Sequence, residues 1–286
     1  MTALVTVDIG NSFVKFAFFP SERENIRSLP EPESVCVETT STFSDLEHWL
    51  HSPTRRNIKL TWIISSVNDG RTRSLTHWLK RNRPWDTVRV LSLSDIPLVV
   101  LYDHPEQLGL DRAVAAYAAQ TYFGRRGPIM VVDVGTATTI DLVDCQGRFA
   151  GGAIMPGPQI SATALYEKTD RIPRLNLSHI AASRSWPATN TQDAIGVGIT
   201  HGTAAAVFSF YLQALRKMQT EHADETLPIL VTGRSEIVFE QLLSLLFDVL
   251  NDLFHNQTKP TIVTCSNVIL RGLALLPLHN HDSNQE

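Results

Sequence analysis

Cysteine is scarce, long apolar runs are missing and neither sign of charge dominates, and each shortage removes a class of protein. Three cysteines (Cys36, Cys145 and Cys265), widely spaced and odd in number, make neither a disulfide framework nor a zinc site. A reducing, cytoplasmic setting is expected. The longest apolar runs, such as Ile96 to Leu101 and Ile129 to Val132, fall far short of the roughly 20 residues that span a bilayer, so no membrane helix is expected. The N-terminus reads Met-Thr-Ala-Leu-Val-Thr-Val-Asp, without a basic stretch or cleavage site, and is read as the start of structure. Lys and Arg number 25 against 29 Asp and Glu, a formal charge of −4 and a pI near 6.2, which supplies no global attraction for nucleic acid or an anionic membrane. The 10 histidines form no helical His-Glu-x-x-His or other compact ligand set, and no Gly-x-x-x-x-Gly-Lys-Ser/Thr loop occurs. The basic stretch Arg71 to Arg83 reads as a solvated helix face.

What remains is a folded globular chain. Its 286 residues, 43% hydrophobic and 19% charged with mean hydropathy −0.04, predict two ordinary domains. A weak internal echo supports that count: Leu4-Val-Thr-Val-Asp8-Ile-Gly10-Asn11-Ser12 returns as Met130-Val-Val-Asp133-Val-Gly135-Thr136-Ala137-Thr138. Each copy runs into a second strand, Val14 to Phe19 and Thr138 to Val143, so each reads as a hairpin with a tight turn. Between them Ser44-Asp-Leu-Glu47 is a capping-box sequence opening a short helix, Lys59 to Ser65 reads as a buried strand, Arg71 to Lys80 as helix and Val88 to Leu93 as strand. Asp111 to Phe123 is an Ala-rich helix that Gly124 ends. Beyond the second hairpin, Ala204 to Met218 and Ile237 to Leu250 read as helices, Ile229 to Thr232 and Thr261 to Thr264 as strands, and the tail from His279 as frayed. The alternation is α/β in both halves, with a boundary at Gly124 to Pro128 dividing 1–124 from 125–286.

An Asp at the end of an apolar strand, followed by Gly, sets a carboxylate beside backbone N–H groups left open to an anion. Amides of Gly10 to Ser12, with Lys15 nearby, then suit polyphosphate oxygens, and Asp8 suits Mg²⁺, a hard ion that keeps several waters. The alternative is an Asp that hydrogen-bonds only its own turn. The repeat favours the first reading. A third segment, Tyr102-Asp-His-Pro105-Glu-Gln-Leu-Gly109-Leu-Asp111-Arg112, leads into the Ala-rich helix. Asp111 reads either as that helix's N-cap or as an acceptor for a hydroxyl proton, its pKa lowered by Arg112. Arg112 can pair with a carboxylate substrate by two parallel hydrogen bonds.

In order, Asp8-Ile-Gly-Asn-Ser with Lys15, Gly109-Leu-Asp-Arg112, Asp133-Val-Gly-Thr-Ala-Thr-Thr-Ile-Asp141, Gly151-Gly-Ala-Ile-Met-Pro-Gly157 and Asn190-Thr-Gln-Asp-Ala-Ile-Gly-Val-Gly198 resemble type III pantothenate kinase over nearly the whole chain. The resemblance implies two duplicated, ribonuclease H-like domains of the actin and acetate-kinase type, with mixed sheets, flanking helices and an interdomain cleft. It implies ATP-dependent phosphorylation of pantothenate to 4′-phosphopantothenate, with Mg²⁺, a monovalent cation (potassium or ammonium) and a homodimer. Carried over by position, Asp8, Ile9, Gly10, Asn11, Ser12, Phe13, Val14, Lys15 and Thr136 contact ATP. Asp133 holds the monovalent cation, Asp8 the Mg²⁺, and Asp111 accepts the proton. Tyr102, Gly109, Leu110, Asp111, Arg112 and Thr191 hold pantothenate. Three positions depart from the family pattern: Leu110 replaces Ala in Gly-Ala-Asp-Arg, His104 replaces Asn before Pro105, and Arg234 stands where a second glycine is usual. Arg234 is expected to stack on adenine or obstruct it. The competing readings are another small-molecule kinase of the same superfamily and a non-catalytic nucleotide-responsive regulator.

Overall fold

The computed structural model describes residues 3–20, 29–38, 42–124, 127–182, 186–219, 227–233, 244–245 and 260–276. Arg234, the tail from His279 and, apart from residues 244–245, the helix expected over 237–250 lie outside the described residues. The chain forms two compact units. The first takes the chain up to Pro97, Gly109–Gly124 and the chain from Ile269; the second takes Leu98–Leu108 and Arg125–Val268. Neither unit is continuous in sequence, unlike the division at 124 and 125.

In the first unit β1 (Ala3–Ile9), β2 (Val14–Phe19), β3 (Ser34–Glu38), β4 (Leu60–Ser66) and β5 (Thr87–Val90) form one mixed sheet in the order β3-β2-β1-β4-β5. β1 pairs antiparallel with β2 and parallel with β4. All seven residues of β1 are buried, as a central strand covered on both faces must be. One face bears Val5, Val7, Ile9, Phe16, Phe18, Trp62 and Ile64, packed with Leu46 and Leu50 of α1 (Ser44–Leu50) and Leu75 and Leu79 of α2 (Asp69–Asn82). α3 (Leu110–Phe123) packs on β4. Its alanines Ala113, Ala115, Ala116, Ala118 and Ala119 are all buried, and Gly124 ends it in the left-handed region (φ 60°).

The second unit repeats this plan. β6 (Ile129–Val134), β7 (Ala137–Val143), β8 (Phe149–Pro156), β9 (Ile229–Gly233) and β10 (Ile262–Thr264) lie in the order β10-β9-β6-β7-β8. β6 plays the part of β1, antiparallel to β7 and parallel to β9. The remaining helices are α4 (Pro158–Lys168), α5 (Leu177–Ala182), α6 (Thr191–Gln219) and, in the first unit, α7 (Val268–Leu273). α6 begins well before Ala204 and is by length and composition apolar enough to cross a bilayer. Packing accounts for its apolar side: Ala204, Val207, Tyr211 and Ala214 join Met130, Val132, Ile229 and Val231 in the core of this unit.

Two local expectations are corrected. Ser44 and Glu47 form no capping box; Phe43 precedes the helix in the left-handed region, and the buried Glu38 carboxylate of β3 accepts from the amides of Asp45 (3.0 Å) and Leu46 (3.4 Å) instead. The strand expected over Val88 to Leu93 stops at Val90, because Ser92 and Asp95 cap each other around a 3₁₀ turn over Leu93–Asp95. The glycine-rich stretch from Gly151 lies in an edge strand, β8.

Candidate active site

In the first unit the β1–β2 hairpin sets Asp8 directly opposite Lys15. Asp8 is buried at 8% exposure. The Gly10 amide, expected to face phosphate oxygens, instead donates to the Phe13 carbonyl (3.0 Å), closing a two-residue turn of Asn11 and Ser12. The second hairpin uses its glycine alike: Gly135 N–H donates to the Ala137 carbonyl (3.0 Å). In both turns the glycine amide holds the turn.

Asp111 is not the N-cap of α3. Gly109 takes that place, its carbonyl accepting from the Arg112 amide (3.1 Å), and Asp111 sits inside the first turn with Oδ1 accepting from the same amide (2.8 Å). Gly109 is needed because a Cβ there would strike Asp111 Oδ1. The expected lowering of the Asp111 pKa is corrected as well: it is raised above the ordinary carboxylate value. Burial is the largest cause, and the Arg112 amide, the Arg112 guanidinium and Lys15 only partly offset it. Arg112 is itself buried, at 6% exposure. The fold therefore gathers the Asp8–Lys15 hairpin and the Gly109–Arg112 segment closely enough for Lys15 to act on Asp111.

In the second unit Asp133, near the end of β6, pairs with Thr139, and the tip beyond it is braced by α4. Gly157 N–H donates to the Thr136 carbonyl (3.1 Å) and its own carbonyl accepts from Ser161 at the start of the helix (2.9 Å). A Cβ on Gly157 would collide with the carbonyl oxygens of Gly135 and Thr136, so this contact requires glycine. Tyr102 is held by a short ladder in which Leu101 N–H donates to Phe149 (2.9 Å) and Phe149 N–H to Val99 (2.8 Å), its ring 6.0 Å from that of Phe149. Thr191 is the exposed first residue of α6, whose start is capped by Asn190 Oδ1 accepting from the Asp193 amide (2.9 Å).

Two residues escaped the sequence reading. Ser65, fully buried on β4, pairs with Asp8, and Asp141, at 1% exposure on β7, shares a face with Asp133. Period-two alternation from Thr139, the partner of Asp133, could have located Asp141. Asp8 and Asp133 belong to no group of three or more metal-ligating side chains among the described residues. Such single carboxylates fit hard cations that complete their shells with phosphate oxygens, carbonyls and water.

Two mixed sheets of one topology, each with an acidic strand running into a glycine turn, define a duplicated α/β fold of two units. A propionate kinase from Francisella tularensis shares the architecture, with TM-score 0.50 at 11% identity over 96% of this chain and 98% of that one. The chain belongs to the type III pantothenate kinase family, whose sequence profile it matches over residues 4–213. It is similar to the type III pantothenate kinases of Nocardia farcinica, 41% identical over 239 residues (81% of this chain, 86% of the relative), and Paramagnetospirillum magneticum, 33% identical over 287 residues (98% of each). It is an enzyme, a kinase that phosphorylates pantothenate in coenzyme A synthesis.

Proposed function

We propose that Asp111 takes the proton from the primary alcohol of pantothenate as that alcohol receives the γ-phosphoryl group of ATP. The observation that carries this reading is a carboxyl buried at the start of α3, raised in pKa and in the field of Lys15 from the Asp8 hairpin. Phosphoryl transfer asks for alignment and charge neutralisation above all, because its transition state is loose. The alcohol oxygen forms the new bond to phosphorus, the bridging oxygen leaves with ADP, and the alcohol proton passes to Asp111. With Oδ1 engaged by the Arg112 amide, Oδ2 is the receiving atom. Burial makes this carboxylate a stronger base than one in water.

In the first unit Lys15 and the turn residues Asn11 and Ser12 hold phosphate oxygens, and Arg112, with Gly109 and Leu110 beside it, orients the pantothenate carboxylate. By the family resemblance, Thr136 is assigned to ATP, and Tyr102 and Thr191 to pantothenate. Asp8 holds Mg²⁺ and Asp133 a monovalent cation, potassium or ammonium. Bound at Asp8, Mg²⁺ would neutralise charge developing on the transferring group.

Homodimerisation is supported by an apolar surface on the second unit: Ile154 on β8 is 63% exposed, with Ile160, Leu165 and Tyr166 of α4 exposed as well. A second copy would cover such a patch, and sedimentation of the intact chain tests it. A cytoplasmic location is supported by three cysteines that form no disulfide. The test of the reaction is ADP release with Mg·ATP and a panel of acceptors, with and without potassium. Release with pantothenate that requires potassium is expected; release with a sugar but not pantothenate would overturn the reading.

A further inference from the structure

Two hydroxyls that the reaction leaves unused lie on the sheet face of Asp8. Thr6 and Ser65 are fully buried, and among the described residues neither Oγ has a hydrogen-bond partner. Leaving a buried polar group unpaired is costly, so each such group calls for an explanation. The register supplies one for Ser65. It is the parallel partner of Asp8, whose antiparallel partner is Lys15, so the three side chains form a row across one face. Thr6 lies two residues before Asp8 on that face. The opposite face carries the core of Val5, Val7, Ile9, Trp62 and Ile64, while on their own face the hydroxyls lie beside buried Leu4, Ala17 and Ile63. Ser65 also sits near the carboxyl end of β4, beside the carboxyl end of β1, and open α/β sheets bind ligands at the carboxyl ends of their parallel strands.

We propose that Ser65 is a positioning residue of the Mg²⁺·nucleotide subsite, its hydroxyl hydrogen-bonding the water shell of the metal at Asp8 and so orienting that carboxylate. The inference rests on the reading of Asp8 as the metal-holding residue. Mg²⁺ keeps several of its waters, and groups bonded to a metal's outer shell orient its direct ligands. That water shell would supply the hydrogen-bond partner that the Ser65 hydroxyl lacks among the described residues. Thr6 has the same burial and the same orphaned hydroxyl but lies two residues farther from the strand end, which makes it the internal control.

The test is the dissociation constant of ADP for the full chain, measured by calorimetry with Mg²⁺ and again with EDTA, for the wild type, Ser65→Ala and Thr6→Val. The Ser65→Ala variant should bind ADP about tenfold more weakly with Mg²⁺, the value of one hydrogen bond made only in the metal's presence, and unchanged in EDTA. Thr6→Val should bind as the wild type in both. The proposal is overturned if Ser65→Ala matches the wild type with Mg²⁺, if it weakens equally in EDTA, or if Thr6→Val shows the same loss. A wild-type affinity that ignores Mg²⁺ would overturn the reading of Asp8, and this proposal with it, whereas Mg²⁺-dependent wild-type binding left intact by Ser65→Ala overturns this proposal alone.

Discussion

The buried Asp111 carboxylate costs the fold stability. Its folded pKa lies above the unfolded value, so the folded protein binds the extra proton, and stability falls as pH rises from the ordinary carboxylate range through the raised value. At neutral pH the ionised side chain therefore destabilises the fold. Asp111→Asn keeps an oxygen for the Arg112 amide and removes the buried charge, and should raise the melting temperature at pH 7 while the gain shrinks in acid. A variant that melts lower than the wild type at pH 7 would refute this. The sequence marked Asp111 as chemically interesting but gave the wrong sign for its pKa. Adjacency to Arg112 is visible in a string of residues, whereas the depth at which α3 buries its first turn is a property of packing. Ser65 went unread for the same reason, since nothing beside it in sequence says that β4 lies against β1 in that register.

Among the elements, the hairpins were the most legible. Apolar strands that run into Asp-x-Gly announce a buried strand and its turn together, and both turns close where the glycine stands. The bracing of the second turn by α4 was not legible, because Gly157 is 21 residues beyond Thr136 and only the folded chain brings their backbones together. Gly157→Ala drives a methyl group into two carbonyls and should lower kcat/KM about a hundredfold, as displacement of a reacting group by about 1 Å can. Activity equal to the wild type would show that the tip tolerates the shift. Likewise α1 depends on a carboxylate from β3 rather than on its own capping residues. The β7–β8 turn shows a further element-level dependence. Asp144 accepts from the amides of Gln146 and Arg148 (2.9 Å each) and from Arg148 Nε (2.7 Å). Burial alone would raise its pKa, but these bonds, led by the Arg148 side chain, hold it below the usual value. Its stabilisation is present above the ordinary Asp range and lost as pH falls through the lowered value. Asp144→Ala should thus lower stability by about 2 kcal/mol at neutral pH, measured by urea unfolding, with the difference closing in acid. A difference independent of pH would place the effect elsewhere.

For the whole molecule, the duplication seen in sequence corresponds to two sheets of identical strand order. The make-up of each unit was less accessible. Residues 98–108 join the second unit and the chain from Ile269 joins the first, and local composition does not record which sheet a segment will cover. The acceptor and the chemistry meet in one claim, that a buried carboxylate at the start of α3 receives the proton of the pantothenate alcohol. The most direct test is the pH dependence of kcat/KM for pantothenate in the wild type and Asp111→Asn. The wild type should lose activity in acid with a midpoint above the ordinary Asp value, and the variant should turn over about 10²–10⁴-fold more slowly without that acid limb. A variant within about twofold of the wild type, with the acid limb intact, would contradict the account.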